Sequence, residues 1–559
     1  MLDGTASTDH FRTRAVGLSS YMAGSSVYLA IALCWTSFRV LPNSGTITWS
    51  VLRNAGGRVY ALSTISDFGA VDADSDDLLL KVFEGHEAFD AVLARSRFLV
   101  TGRKGSGKTA IYKKLLSERG PQKFVYGHTF SDYPWHHHDA QARVGIPDYD
   151  KFTHSWKYLI YLSLAKIVLN QDNSLPHNDR SMDCMDPIER FVVDTYGSRD
   201  PDLTQVFTPT KEMRLRPHFE IDVKALKAGI SPERVPITEL PTIVQDVNRN
   251  LQNLLLSSVN EENEYFIAFD ELDLGFDPEN QDYKNRLIGL LLACRDINNA
   301  AREAGVKVFA VMFLRDDIYN SLQFEDKNKI TENFASLIEW DTPRTGRTLR
   351  DLMERRFTLR LGEEGENIEW ETLFDERQEM TGRQAKYNHI TDRTYLRPRD
   401  MIKFCNLVLS EYNNRVRGGD VLNDKIDNID INRARHSFSQ YFLNELDDEI
   451  HKHVPRYRDY LEVIKAIGAW QFDKNVFLSK FEDQGFGSDE RTALEVLRAL
   501  FEFSVLGFYR PGGGGYGGSE YIFKYKEPGT QFDVTSSRFR VHPALIEVLG
   551  LKRTNVVDA

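Results

Sequence analysis

The eight residues from Gly102 to Thr109, GRKGSGKT, meet every required position of the pattern G-x-x-x-x-G-K-[ST]. Glycines at 102, 105 and 107 let backbone N–H groups turn inward around an anion with no Cβ in the way. A helix beginning near Lys108 adds the positive end of its dipole. In that arrangement Lys108 reaches the β- and γ-phosphates of a nucleotide and the Thr109 hydroxyl sits on Mg²⁺, while Arg103, Lys104 and Ser106 complete the loop. ATP and Mg²⁺ are the expected ligands. The sequence holds no guanine-reading motif, and the choice between ATP and GTP stays open.

A phosphate cradle alone does not hydrolyse anything, so a carboxylate is needed at the end of a second buried strand. FIAFDELD supplies one. Phe266 to Phe269 is an apolar run too short for a helix and right for a strand covered on both faces, and Asp270 follows where it can hold a metal-bound water opposite Thr109. Glu271, aimed past the metal, is the candidate general base. The alternative makes Asp270, Glu271 and Asp273 a solvated acidic strand end. A third apolar run, VFAVMFL, ends at Arg315, Asp316 and Asp317. Arg315 either touches the γ-phosphate, the attacking water or a neighbouring subunit, or pairs with Asp316, Asp317 or Asp273. In YLRPRDMIKF, Pro398 marks a helix start, so Arg397 and Arg399 lie where a cation opposes the dipole and calls for an anion. That anion is a nucleotide phosphate, or else Asp400 or Asp392.

These residues need elements to carry them. A strand at Phe98 to Val100 leads into the glycine loop and a helix. KFVYGHTF then reads as a strand and THSWKYLIYLSLAKIVL as a long helix, the alternation of an open parallel α/β sheet. Residues 173–240, with prolines at 176, 187, 201, 209 and 217, break the rhythm as an irregular or helical insertion. The sheet resumes with EYFIAFDE and VKVFAVMFL around a helix. Upstream of the loop, an acidic turn at Asp72 to Asp77 precedes helical apolar spacing through Leu80, Phe83 and Phe89. Thr348 to about Ser410 is mostly helical. VLGFYR and EYIFKY flank PGGGGYGG as a β-hairpin, the outline of a winged helix after a helical block. The expected organisation is an N-terminal extension (1–60), a P-loop core (61–345), a helical lid (346–420) and a C-terminal helical and winged-helix-like part (421–559).

Composition sets limits on this plan. With 559 residues, 41% hydrophobic and 27% charged, the chain is sized for two to four domains with substantial cores. A net charge of −12 argues against nonspecific nucleic-acid binding by the chain as a whole. Cys34, Cys184, Cys294 and Cys405 stand singly, without zinc or disulfide spacing, which fits a reducing cytoplasm. VYLAIALCW, Val27 to Trp35, follows Arg12 and Arg14 like the apolar region of a signal peptide, yet nine residues fall short of the roughly 20 that span a bilayer. An extension from an early start codon is preferred there over a buried helix or a signal anchor. No membrane partner is expected.

GRKGSGKT, FIAFDELD, FLRDDI and RPRDMIKF together resemble a family of prokaryotic P-loop ATPases related to the STAND and KAP-type NTPases and, more distantly, to AAA+ proteins that include origin-recognition ATPases. The likeness covers about residues 65–420, and FGAVDADSDDLLLKVF and YPWHHHD also look like members of that family. It implies roles for Asp270 and Asp273 in the second carboxylate motif and for Arg399 as the sensor arginine of a helical lid; at Glu271 many relatives carry a small or another acidic residue. It also implies an ATP-driven conformational switch, often homo-oligomeric, acting on a protein partner and sometimes linked to defence against foreign DNA. A nucleotide-gated scaffold with little hydrolysis and an origin-recognition-like DNA-binding ATPase are the competing readings. Two tempting features stay unpromoted. Three consecutive histidines in WHHHD cannot all face one ion. Residues 501–559 carry seven Lys or Arg against six Asp or Glu, so DNA contact through Tyr516 of the glycine loop has no charge argument behind it.

Overall fold

A computed structural model of the chain describes residues 60–83, 85–129, 148–202, 212–213, 235–236, 240–342, 348–363, 365–420, 424–512 and 518–556. The apolar runs read from the sequence become β1 (Leu99–Gly102), β2 (Lys123–Thr129), β5 (Glu264–Asp270), β6 (Lys307–Arg315) and β7 (Ala335–Leu337), with a two-residue ribbon of β3 (Glu212–Met213) and β4 (Val235–Pro236) between them. The five longer strands form one sheet in the order β2-β5-β6-β1-β7, every pair parallel. Tyr265 to Asp270 and Val308 to Leu314 are buried without a break, as strands covered on both faces must be. Because all strands run the same way, their carboxyl ends share one edge. Gly102 lies beside Arg315 and Asp270 beside Thr129 in the register.

The helices around this sheet are α1 (Glu87–Leu93), α2 (Lys108–Ser117), α3 (Asp148–Asn170), α4 (Asp179–Tyr196), α5 (Leu240–Ser258), α6 (Gln281–Glu303), α7 (Asp316–Ser321) and α8 (Lys327–Phe334). Asn178 and Asn280 cap α4 and α6 by accepting from the N–H groups of Ser181 and Tyr283. α3 packs on α6, and α5 covers α3 and α4. The proline-rich stretch is therefore helical at its start, in α4, and most of 203–239 lies outside the described residues.

The apolar spacing upstream of the loop does not make a helix until Glu87. The acidic turn expected at Asp72 to Asp77 is present and extends toward Val82: Asp72 accepts from the N–H of Asp74 at 3.1 Å and Asp76 from that of Leu78 at 3.3 Å. Such local bonds compete with helix formation. Leu79 and Val82 turn inward while Leu80 stays 50% exposed, which is the burial pattern of a turn-rich strip.

Next come α9 (Leu349–Leu361), α10 (Trp370–Leu373), α11 (Lys386–Thr391) and α12 (Pro398–Arg417), where the sequence predicts a mostly helical block from Thr348 to about Ser410, and then α13 (Asn428–Ile450). Thr348 and Asp427 open α9 and α13 with reciprocal capping boxes. The chain then runs through α14 (Tyr457–Ile467), β8 (Ala469–Asp473), α15 (Lys474–Asp483), α16 (Glu490–Glu502), β9 (Leu506–Arg510), β10 (Glu520–Ile522), β11 (Arg538–Val541), α17 (Ile546–Leu549) and β12 (Lys552–Val556). The expected hairpin, β9 with β10, is the edge of a five-stranded sheet in the order β10-β9-β11-β8-β12, antiparallel except where β12 joins β8. β11 joins the strands because Phe539 pairs in register with both Phe508 and Phe472, a distant match invisible in local patterning. The described residues from Tyr60 onward form one compact unit with an apolar core running from Leu62 to Leu551.

Candidate functional site

Strand β1 gives way at Gly102 to the loop, and α2 starts at Lys108. Gly105 and Gly107 take left-handed backbone, φ 78° and 111°, which glycine adopts without strain. A Cβ on Gly105 would also lie 2.9 Å from the Cβ of Arg399, so the loop and the start of α12 are in direct contact. The Arg399 N–H adds a 3.4 Å bond to the Gly105 carbonyl. Lys108 curls over the loop and donates to the carbonyls of Gly102 and Arg103 at 2.8 and 2.9 Å. Burial pulls the Lys108 ammonium below its ordinary pKa, partly offset by Asp273 and Asp316.

A cavity of about 270 Å³ opens at this edge of the sheet, and Lys108, Thr109, Asp270, Glu271, Arg315 and Arg399 all line it. Burial raises the Asp270 carboxyl to about 6, against the pull of the Glu271 N–H, the Thr109 side chain and the Lys108 charge. Its Oδ2 is buried with no hydrogen-bond partner. A hydroxyl beside a carboxylate with one unsatisfied, buried oxygen is a donor set that fits a hard divalent cation. Among the described residues no group of three or more His, Cys, Asp or Glu could hold a metal ion. Glu271 has φ 58°, a left-handed backbone costing a non-glycine residue on the order of 1 kcal/mol, held where strand β5 turns into the cavity.

Arg315 is paired with carboxylates in this structure. Its Nε and Nη2 fork onto Asp317 at 3.0 and 2.6 Å, and Nη1 lies 3.4 Å from Asp273. Burial works against its charge, yet Asp317 keeps the guanidinium above its ordinary pKa. His453 stands 3.4 Å from the same Asp317 carboxylate.

Arg103 turns away from this cavity, whereas Lys104 lines it and pairs on the far side. Arg103 lies over the Tyr395 ring, 4.1 Å from its centroid, and reaches Glu449 at 3.2 Å and the Ser504 hydroxyl at 3.2 Å. Lys104 contacts Asp448 at 2.6 Å and Glu445 at 3.5 Å. Arg397, 1% exposed, donates to Asp400 at 2.7 Å, to the Lys104 carbonyl at 2.7 Å and to Glu449. Arg397 thus takes Asp400, while Asp392 contacts Lys526 at 3.4 Å. Arg399 reaches Glu445 at 3.2 Å and Asp72 at 3.7 Å. Glu445, Asp448 and Glu449 lie at i, i+3 and i+4 of α13, so one helical face carries the anions for the loop and the start of α12. Burial opposes ionisation of Glu449, but Arg397, Arg103 and Arg315 bring its carboxyl down to about 2. A second cavity of about 210 Å³ lies on this side of the loop. Trp340 lines both cavities and donates its indole N–H to the Ser106 carbonyl at 2.9 Å.

The sequence reading missed the far wall of the first cavity, made by Val71, Leu79, Val82, Phe83, Ile402 and Arg356. The aspartate-rich strip before the loop was the available signal, since turn-forming aspartates between apolar residues argue against a helix. Trp135 to Asp139 and Tyr516 lie outside the described residues. Cys184, Cys294 and Cys405 are free thiols.

Residues 347–447 match the family model FunZ_C, the FunZ-associated C-terminal helical domain. No curated protein matches the chain significantly. Among solved structures, the Walker-type ATPase paby2304 of Pyrococcus abyssi aligns with 86% of this chain and 97% of its own, at 13% identity and a TM-score of 0.35. That likeness is too weak to bear on fold or activity. Among the described residues no helix is long and apolar enough to cross a membrane.

Proposed function

We infer that the protein is a P-loop ATPase that uses Mg²⁺ and works as a nucleotide-driven conformational switch on a macromolecular partner. One observation carries the reading: the glycine loop, Thr109, the buried Asp270 with its unsatisfied oxygen, and Glu271 converge on a single cavity at the carboxyl edge of a parallel sheet. In this reading the loop N–H groups and Lys108 hold the phosphates, Thr109 and Asp270 hold the cation, and Glu271 orients and deprotonates the attacking water. When bound, the Mg²⁺ supplies charge neutralisation at the phosphates. Arg399 stabilises charge from the lid side, and Arg315 joins it on leaving Asp317.

The switch half of the reading draws its support from α13. Lys104 and Arg399 share Glu445, so phosphates that attract either cation compete with a carboxylate on the helix leading to the C-terminal sheet. The order α14, β8, α15, α16, β9, β10, β11 supports reading this part as a winged helix with one strand added in the wing, and residues 346–420 are read as the lid. The partner is read as a protein in a homo-oligomeric assembly, with defence against foreign DNA as its setting. A nucleotide-gated scaffold that barely hydrolyses ATP is the second reading, favoured by the hold of Asp317 and Asp273 on Arg315.

Steady-state ATPase activity, with and without single-stranded and duplex DNA and alongside mass determination with and without ATP, tests these readings. Mg²⁺-dependent turnover supports the switch. ATP binding without turnover favours the scaffold, and salt-sensitive DNA stimulation points to a DNA-binding ATPase.

A further inference from the structure

Beyond the phosphate end, the first cavity runs into an apolar compartment between the turn-rich strip and the start of the lid, walled by Val71, Leu79, Val82 and Ile402. A buried ion pair sits in this compartment. Arg356 and Asp76 both line the cavity, meet at 2.6 Å, and are 3% and 2% exposed. Burying such a pair carries a desolvation penalty that good geometry only partly returns. The chain is nevertheless shaped around it. Gly69 has φ 112°, and a Cβ there would lie 2.1 Å from the Arg356 Nη1, which donates to the Phe68 carbonyl at 3.0 Å.

The hydrogen bonds leave a specific remainder. Asp76 is filled, with Oδ2 taking Arg356 and Oδ1 taking the Leu78 N–H. His86, also lining the cavity, is filled as well: Nδ1 accepts from the Ala88 N–H and Nε2 contacts the Glu339 carbonyl. Asp74 is committed to Lys113 at 2.6 Å, and Asp72 accepts from the Asp74 N–H. The Arg356 Nε is buried and has no partner. Among these groups the Arg356 Nε is therefore the one side-chain donor left without a partner, and no buried carboxylate is left unfilled.

Resting on the nucleotide reading above, we propose that Arg356, held in place by Asp76, is the specificity-determining residue of this site and donates from Nε to a ring nitrogen of an adenine base. Adenine offers ring-nitrogen acceptors on a flat, largely apolar body that suits the aliphatic walls. Guanine would bring an N1–H and an amino group whose natural partner, a carboxylate, is already taken at Asp76, and unpaired buried donors are heavily penalised.

The test measures dissociation constants of the full chain for ATP, GTP and the 1-deaza, 3-deaza and 7-deaza analogues of ATP, each of which removes one ring nitrogen. ATP is expected to bind at least tenfold more tightly than GTP, and one of the three analogues to bind about tenfold more weakly than ATP. In turnover that penalty falls on KM and leaves kcat unchanged. Arg356→Lys, which keeps a charge for Asp76 but moves the donor, should bind ATP and the discriminating analogue equally. Analogues that all bind like ATP overturn the assignment on the unmodified protein, whatever the variant does, and so does a variant that keeps the penalty. If no nucleotide binds at all, the nucleotide reading itself falls and takes this assignment with it.

Discussion

The two sides of the phosphate loop are built to opposite specifications. On the cavity side, Asp270 is buried with one oxygen unsatisfied and its carboxyl raised to about 6, and Glu271 occupies a strained backbone region. On the α13 side, Glu449 is equally buried, yet Arg103 and Arg397 both bond it and its carboxyl is lowered to about 2. The difference separates two jobs. The unsatisfied Asp270 oxygen on one side is available to a ligand, whereas ion pairs on the other hold the loop to the rest of the chain.

Substitutions on either side should therefore fail differently. The largest effect is expected from Lys108→Ala, which should weaken nucleotide binding about a thousandfold in calorimetry with little change in melting temperature. Glu271→Gln should cut turnover a few hundredfold, about what a general base contributes, and leave KM nearly unchanged. Unaltered turnover would remove Glu271 from the mechanism. Across the loop, Glu449→Gln leaves two buried arginines short of a counter-charge and should cost about 3 kcal/mol in denaturant unfolding. A Glu449→Gln protein that loses binding but no stability would erase the distinction between the sides.

Acid separates them without mutation. Asp270 has a folded pKa above its ordinary 3.8, so its ionised form lowers stability above about pH 6, and that penalty fades as pH falls toward 4. Protonation over the same window removes the anion that would hold Mg²⁺, so Mg²⁺-nucleotide affinity should drop as pH falls through 6. Glu449 has the opposite sign: its stabilisation is complete above its ordinary 4.5 and is lost only as pH falls toward 2. Between pH 6 and 5 the protein should thus lose nucleotide before it loses its fold, checked by binding and circular dichroism on the same samples. The smallest effect belongs to Asp448→Asn. Its carboxylate is 61% exposed, so losing Lys104 should cost about 0.5 kcal/mol or less and vanish in high salt.

How much of this was legible in the sequence follows the range of the interactions. The loop, Thr109 and Asp270 were readable because each needs only a short apolar strand followed by a fixed residue type, and neighbours along the chain supply both. Arg103 was grouped with the nucleotide side because nothing in GRKGSGKT records Glu449, which lies 346 positions away. Arg315 had two readings, and the contact that one of them needs, with Asp317 two residues on, is bidentate. Asp72 to Asp77 was legible as an acidic turn, whereas Leu80 and Phe83 were read as helical because the turn continues past the aspartates that mark it. Three strands of the C-terminal sheet escaped notice because β8, β11 and β12 find their partners across long separations, and β11 and β12 alternate too briefly to signal alone.

Trp340 gives the loop an optical readout of its own. Its indole N–H is bonded to the Ser106 carbonyl and its ring borders both cavities, so movement of the loop toward either side changes the polarity and hydrogen bonding that set its emission. With seven tryptophans in the chain, the signal is isolated by difference, comparing the native protein with Trp340→Phe during nucleotide titration. A fluorophore fastened to the loop backbone reports displacement there without any attached label.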